Sequence, residues 1–416
     1  MSPVHQAGAR GQVLPDSLAG VRVIAVEQAV AGPLCSRHLS DLGADVVKIE
    51  RPGQGDFARH YDRLVHGMST YFVWLNRGKR SVVLDLKSAD GRAELRALLQ
   101  TADVLVSNLA VGALDRLVDL DEIRRANPGL VSCAISGYGP DGPYAQRKAF
   151  DLLVVGEAGI TANTGTPDQP AKPGVSLADL AGGIYAMAGI CAALRERELT
   201  GVGRHLEISL FDVMCEWMMP LLLAEQESAK SILPAGLRHA TITPYGPYTC
   251  SDGAVLNIAV QNDEQWQRLC RQALDDPALA EDADLATNPQ RLERRVECET
   301  RVQARIALMD RVELEHALDA ADVPWGRLNS TLDVLNHPQL AETGRWTLAV
   351  LPDGEQVRVL ADPFRFRGRS AAAPQAVAAL GVDTAQVLTE QHREPLHGTG
   401  PNSPKPYPST TQEGHR

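Results

Sequence analysis

Short β-like runs alternate with helical ones through the first 145 residues, and few folds accept that alternation. Strands are expected at Val21–Val26, Asp45–Ile49, Ser81–Leu86, Asp103–Val106 and Leu130–Ile135. Helices are expected at Pro33–Leu42, with Pro33 in the first turn, at Tyr71–Asn76, and from the Ser88 cap to about residue 101. Strands separated by helices pair in parallel through crossovers, so the fold class is α/β: an open, Rossmann-like parallel sheet covered on both faces. The first strand-to-helix turn reads Glu27-Gln28-Ala29-Val30-Ala31-Gly32-Pro33. It lacks G-x-G-x-x-G, which argues against an ordinary dinucleotide site.

Beyond residue 145 the pattern changes. Helices are expected at Phe150–Ala162, from Asp179 to about residue 198, and at Phe211–Lys230, with a strand at Arg204–Ser209. Hairpins turn at Ser251-Asp252-Gly253 and Pro352-Asp353-Gly354. The 416 residues exceed one ordinary core. The expected division is a flexible leader (1–16), a large α/β domain (17–225), a smaller α+β domain with its linker (226–340), a return to the large domain (341–396) and a disordered tail (397–416) rich in Gly, Pro, Ser and Thr.

Composition narrows the class. A net charge of −11 disfavours nucleic acid as a partner. The first eleven residues lack the apolar core of a signal peptide, and no apolar run reads as long enough to span a bilayer, so no membrane is expected. Seven scattered cysteines without CxxC spacing argue for reduced thiols in the cytoplasm, and against a zinc site or disulfide framework.

Asp179, in Val-Ser-Leu-Ala-Asp-Leu-Ala-Gly-Gly, is the most informative single residue. At the mouth of an apolar helix it is either an N-cap or a carboxylate held where helix amides favour negative charge. Gly182 and Gly183 leave space for a ligand or a second backbone. Arg51, Lys87 and Asn108 follow the second, third and fourth strands, with Arg116 just beyond. Gly137-Tyr138-Gly139 follows the fifth. Basic and polar groups gathered at the carboxyl edge of such a sheet suit a long, polyanionic ligand.

These stretches resemble the class III CoA-transferases, from about Leu18 to about residue 392. The resemblance rests on Leu-Ala-Gly-Val-Arg-Val near the start, Ala-Gly-Pro at 31–33, Leu-Gly-Ala-Asp-Val-Val-Lys-Ile-Glu at 42–50 and Asn-Arg-Gly-Lys-Arg-Ser at 76–81. It continues with Gly-Ala-Leu-Asp-Arg at 112–116, Gly-Tyr-Gly at 137–139, Asp179 with its glycines, Thr-Gly-Val-Gly-Arg from Thr200 and Ser-Leu-Phe-Asp from Ser209. The resemblance implies an interlocked homodimer of two-domain chains and CoA transfer from an acyl-CoA to a free carboxylic acid. It implies Asp179 as nucleophile of a covalent aspartyl intermediate. Arg51, Lys87, Asn108, Arg116 and Tyr138 would hold CoA, with Ala31 and Leu84 along the adenine and pantetheine path. CoA thioester is then a substrate; no tightly bound cofactor and no metal are implied.

One departure is Arg238–Gly246, which lacks the glycine run of the formyl-CoA enzymes. An acyl-CoA racemase of the same fold would need His-Asp after Gly-Pro-Tyr. This chain has Ala149-Phe150-Asp151, and phenylalanine cannot move a proton. A non-catalytic CoA-binding protein is the third reading, and such a protein has no need of Asp179. Arg37, His38, Arg59, His60 and His66 could pair a second carboxylate, so a short C4 or C5 dicarboxylate is the expected acceptor. Tyr61 and His66 are candidates to cover the acyl group, Glu27 and Gln28 to face its carbonyl, and Trp217 reads as core or dimer interface.

Overall fold

Six parallel strands, β1 (Arg22–Val26), β2 (Asp45–Glu50), β3 (Arg80–Val83), β4 (Val104–Ser107), β5 (Val131–Ser136) and β6 (His205–Ser209), lie in the order β3-β2-β1-β4-β5-β6. This is a computed structural model that describes residues 16–228, 233–366 and 373–392. The expected leader, apart from Asp16, and the expected tail lie outside the described residues. Val23 of β1 pairs with Val46 on one side and Val104 on the other, so strand order reverses at β1/β4. Such a switch point opens a crevice at the carboxyl ends of the strands.

Helices α1 (Ala31–Asp41), α2 (Thr70–Asn76), α3 (Ala89–Gln100), α4 (Ala113–Leu117), α5 (Leu120–Ala126), α6 (Asp151–Glu157), α7 (Leu177–Thr200) and α8 (Leu210–Trp217) complete this part of the fold. Ile24, Val47, Val82 and Leu105 form one core with Leu95, Leu98 and Leu99 of α3. Helix α7 packs on α1, α6, α8 and β5. A Cβ at Gly183 would stand 2.8 Å from the Ala31 carbonyl oxygen, and one at Gly182 would collide with the Leu210 side chain. Gly183 therefore admits the backbone of α1, and Gly182 the Leu210 side chain, rather than a ligand. Helix α7 has 24 residues and is long and apolar enough to cross a membrane by length and composition. That corrects the reading that no apolar run reaches this length. Half of its apolar window is buried within the fold.

Two expected helices are broken. Residues 150–162 divide at Gly159, whose φ of 81° ends one helix before Ile160–Asn163 begins. Residues 211–230 divide at Met218, before Met219–Ser228. Pro220 has no amide to donate to the Glu216 carbonyl, and its ring would clash there. Trp217 consequently stays 48% exposed, whereas Met214 and Met218 are buried.

The chain forms two compact units, Met1–Ala158 with Gly174–Trp217 and Gly344–Arg416, and Gly159–Pro173 with Met218–Thr343. The segment 159–173, expected in the large domain, thus belongs to the second unit. In the first unit, Trp346–Val350 and Gln356–Leu360 pair as the expected antiparallel hairpin. In the second, Tyr245–Thr249, Val255–Ala259 and Trp325–Arg327 form an antiparallel sheet, with the 251–253 turn as expected. Its core gathers Trp266, Leu256, Ile258 and Leu314.

Candidate active site

The turn from β1 into α1 is fixed from beneath by buried charge. Glu27, at the end of β1, lies 2.8 Å from Lys79 Nζ and 3.3 Å from Lys48 Nζ, and accepts a hydrogen bond from Ser36 Oγ. Burial would raise its pKa, but the Lys79 and Lys48 ammoniums outweigh burial and hold it below the usual range. Burial pulls Lys79 down to about 8. Lys48 also pairs with Asp56 at 2.9 Å. Asp56 Oδ1 accepts from the Ala29 amide at 3.0 Å, and Ala29 has a φ of 64°, strained for a residue with a Cβ. The neighbouring Gln28 is clamped on both backbone groups. Its amide donates to Asn108 Oδ1 at 2.9 Å, and its carbonyl accepts from Asn108 Nδ2 at 2.7 Å. Helix α1 then begins at Ala31 with no capping side chain, so no side chain claims the amides at its mouth.

A cleft of about 340 Å³ opens beside this turn, lined by Gln28, Ala29, Ala31, Phe57, Asn108, Ser136, Arg147, Lys148, Phe150, Asp179 and Leu210 among others. A second, of about 290 Å³, is lined by Arg51, Leu84, Lys87 and Leu117. Gln28 and Leu109 belong to both linings, so the two clefts adjoin at the carboxyl edge of the sheet.

Asp179 is not the N-cap of its helix. The helix starts two residues earlier, with Ser176 at the N-cap position and no side-chain cap. The capping carboxylate comes from Asp151, the first residue of α6. Its Oδ1 accepts from the Ala178 amide at 2.7 Å and the Asp179 amide at 3.3 Å. These two first-turn amides are therefore occupied by Asp151. Burial, and then the Asp151 charge, push Asp179 up to about 7. At neutral pH it is thus only partly ionised, against the full ionisation expected of a nucleophilic carboxylate at a helix mouth. Burial, then the charges of Asp56 and Asp179, raise the Tyr61 phenol to about 12.

The sequence candidates divide. Ala31, Asn108 and Asp179 line one cleft; Arg51, Leu84 and Lys87 line the other. Leu84 and Lys87 follow β3, which ends at Val83 rather than Leu86. Arg116 is exposed on α4 and belongs to neither lining. Tyr138 also stands outside both, its ring 5.2 Å from Tyr144 and 5.8 Å from Phe211.

The basic groups invoked for a second carboxylate are largely consumed. Arg37 pairs with Asp41 at 3.1 Å, His38 with Asp362 at 3.0 Å and Arg59 with Glu50 at 2.7 Å, all buried or nearly so. His60 Nε2 lies against the Gln54 carbonyl at 3.0 Å, and His66 is exposed in a tight turn with a φ of 49°. Glu27 sits in the buried ion cluster rather than facing an acyl carbonyl. Conversely, Asp151, Arg147 and Lys148 were missed. The segment Arg147-Lys148-Ala149-Phe150-Asp151 was in view, but only Phe150 was weighed.

The model of CoA-transferase family III matches residues 18–384. The chain is a family III CoA-transferase. Its relatives agree. The succinate–glutarate CoA-transferase of Agrobacterium fabrum is 34% identical over 382 residues, 90% of this chain and 95% of that one. The acetyl-CoA:oxalate CoA-transferase of Acetobacter aceti is 34% identical over 325 residues, 77% of this chain and 83% of its own length. A CAIB/BAIF family crystal structure from Brucella suis superposes with a TM-score of 0.78 at 34% identity, covering 91% of this chain and all of that one. As a family III CoA-transferase the protein uses CoA thioesters, and of the two adjoining clefts one carries Arg51 and Lys87 in its walls and the other Asp179.

Proposed function

We propose that this CoA-transferase moves CoA from an acyl-CoA to a short dicarboxylic acid through a covalent intermediate on Asp179. The carrying observation is that Asp179 is the one carboxylate in the lining of its cleft. Its carboxylate attacks the thioester carbonyl, forming a mixed anhydride and releasing CoA thiolate. The thiolate attacks the aspartyl carbonyl, which frees the donor acid and leaves Asp179 as a CoA thioester. The acceptor carboxylate attacks that thioester, and the returning thiolate takes the acceptor acyl group and restores Asp179. Each step exchanges one activated acyl group for another, so no outside energy source enters. Water must be kept out of the cleft, because it hydrolyses both intermediates.

Support for a dicarboxylate acceptor is twofold. The relatives named above act on succinate, glutarate and oxalate. Lys148 also lines the Asp179 cleft and has no ion-pair partner among the described residues, whereas Arg147 is held by Glu157 at 2.8 Å. Arg51 and Lys87, exposed and without ion pairs among the described residues, are suited to the phosphates of CoA. Replacing either by Ala is expected to weaken CoA binding by ~1–3 kcal/mol, the range for charge-assisted bonds; calorimetry showing unchanged affinity would place the phosphates elsewhere. A homodimer is part of the proposal. On α7, Ile184 and Tyr185 are each 39% exposed, and Leu199 is 58% exposed, apolar surface that a second copy would cover. The seven free thiols suit a reducing cytoplasm.

The test is to incubate the protein with succinyl-CoA without acceptor, trap with hydroxylamine and map the adduct by mass spectrometry. A hydroxamate on Asp179 supports the reading; an unmodified Asp179 peptide after the same incubation overturns it. A screen of succinate, glutarate, mesaconate, itaconate and malate then identifies the acceptor, and a preference for monocarboxylates would remove the dicarboxylate assignment.

A further inference from the structure

Asp151 lies outside the lining of the cleft, yet it touches the backbone that carries Asp179. A neutral oxygen would satisfy the Ala178 and Asp179 amides as a capping group. A carboxylate there does more, because it sets a second negative charge against a carboxylate already shielded from water. The surroundings offer Asp179 little compensation. Helices α1 and α8 present Ala31 and Leu210 to the cleft, and β5 presents Ile135 and Ser136. Tyr61, whose phenol is raised by burial and by the charges of Asp56 and Asp179, adds no positive charge. Of the two cations in the lining, Arg147 is engaged by Glu157 of α6, and Lys148 is exposed.

We propose that Asp151 is a positioning residue for the Asp179 nucleophile, fixing the first turn of α7 through two amides while holding a negative charge behind the attacking carboxylate. Two effects of that charge oppose each other. A more basic carboxylate is a better nucleophile, and it is also ionised over a narrower pH range. The charge thus gains rate at alkaline pH and loses it at acid pH. This inference rests on the reading of Asp179 as nucleophile.

Asp151→Asn separates the charge from the cap, since its amide oxygen can still accept from both backbone N–H groups. The expected result is a crossover. The acid limb of the kcat/KM profile moves down by about one pH unit, so the variant outperforms the parent several-fold below pH 6. Above pH 8 its kcat falls several-fold below the parent's, with KM for acyl-CoA unchanged. A role in structure alone would lower activity equally at every pH and leave the limb in place, and that outcome overturns the proposal. Should Asp151→Asn not fold, Asp151→Ser, also neutral and also an acceptor, is read the same way. Failure of the underlying reading looks different: the adduct on Asp179 would then be missing from the parent enzyme itself. An adduct present in the parent, with an unmoved limb in the variant, rejects only the role of Asp151.

Discussion

Asp179→Ala is expected to lower turnover by about three orders of magnitude or more while leaving CoA affinity within a few fold. Removal of a covalent nucleophile costs on that scale because no parallel route replaces the bond it makes. The substitution should spare binding for a geometric reason. Arg51, Leu84 and Lys87 line the neighbouring cleft and are absent from the walls of the one that holds Asp179, and Arg51 Nε donates to the Gly55 carbonyl at 2.8 Å. A coupled measurement of exchange rate and CoA affinity decides the matter. Substantial residual transfer would rule out the nucleophile, whereas equal losses in rate and affinity would make Asp179 a binding residue.

The second large effect concerns pH and stability together. With Asp179 near 7 in the folded protein, kcat/KM is expected to fall about tenfold per pH unit below that value, as the attacking carboxylate is protonated. The same shift has a sign for folding. An ordinary aspartate titrates near 3.8, so between about pH 4 and 7 the native state holds a proton that the unfolded chain has lost. The stability this contributes is full below pH 4, declines as pH rises through 7 and is absent above it. Asp179→Asn, uncharged at every pH, should therefore be more stable than the parent at pH 8, by on the order of 2–4 kcal/mol, with the gap closing towards pH 4. Denaturant titrations at the two pH values check this, and a gap of equal size at both would show that Asp179 ionises without penalty.

The sheet was legible because its strands are local events. A run such as Val46-Val47-Lys48-Ile49 announces itself within a few residues, and so do the Asp-Gly turns at 252–253 and 353–354. The helix breaks were legible in principle, since Gly159 and Pro220 stand in plain view, but apolar periodicity runs through both. What could not be read was which charges are already taken. The partner of His38 is Asp362, 324 residues away, and the buried pair of Lys79 with Glu27 spans 52. The cap of α7 comes from 27 residues upstream. Arginines and histidines near the first turn therefore looked available for substrate when the fold had already enlisted most of them. Asp179 itself was legible as a special position, but its elevated pKa depends on burial and on Asp151, neither of which spacing reveals.

Gln28 and Leu109 stand in the walls of both clefts. On the proposed mechanism, a nucleotide docked in one stays moored there while its thiol end swings between partners in the other. The departing and incoming acids then queue for a single berth, so excess acceptor should slow the forward reaction by occupying it before the acyl-CoA has bound.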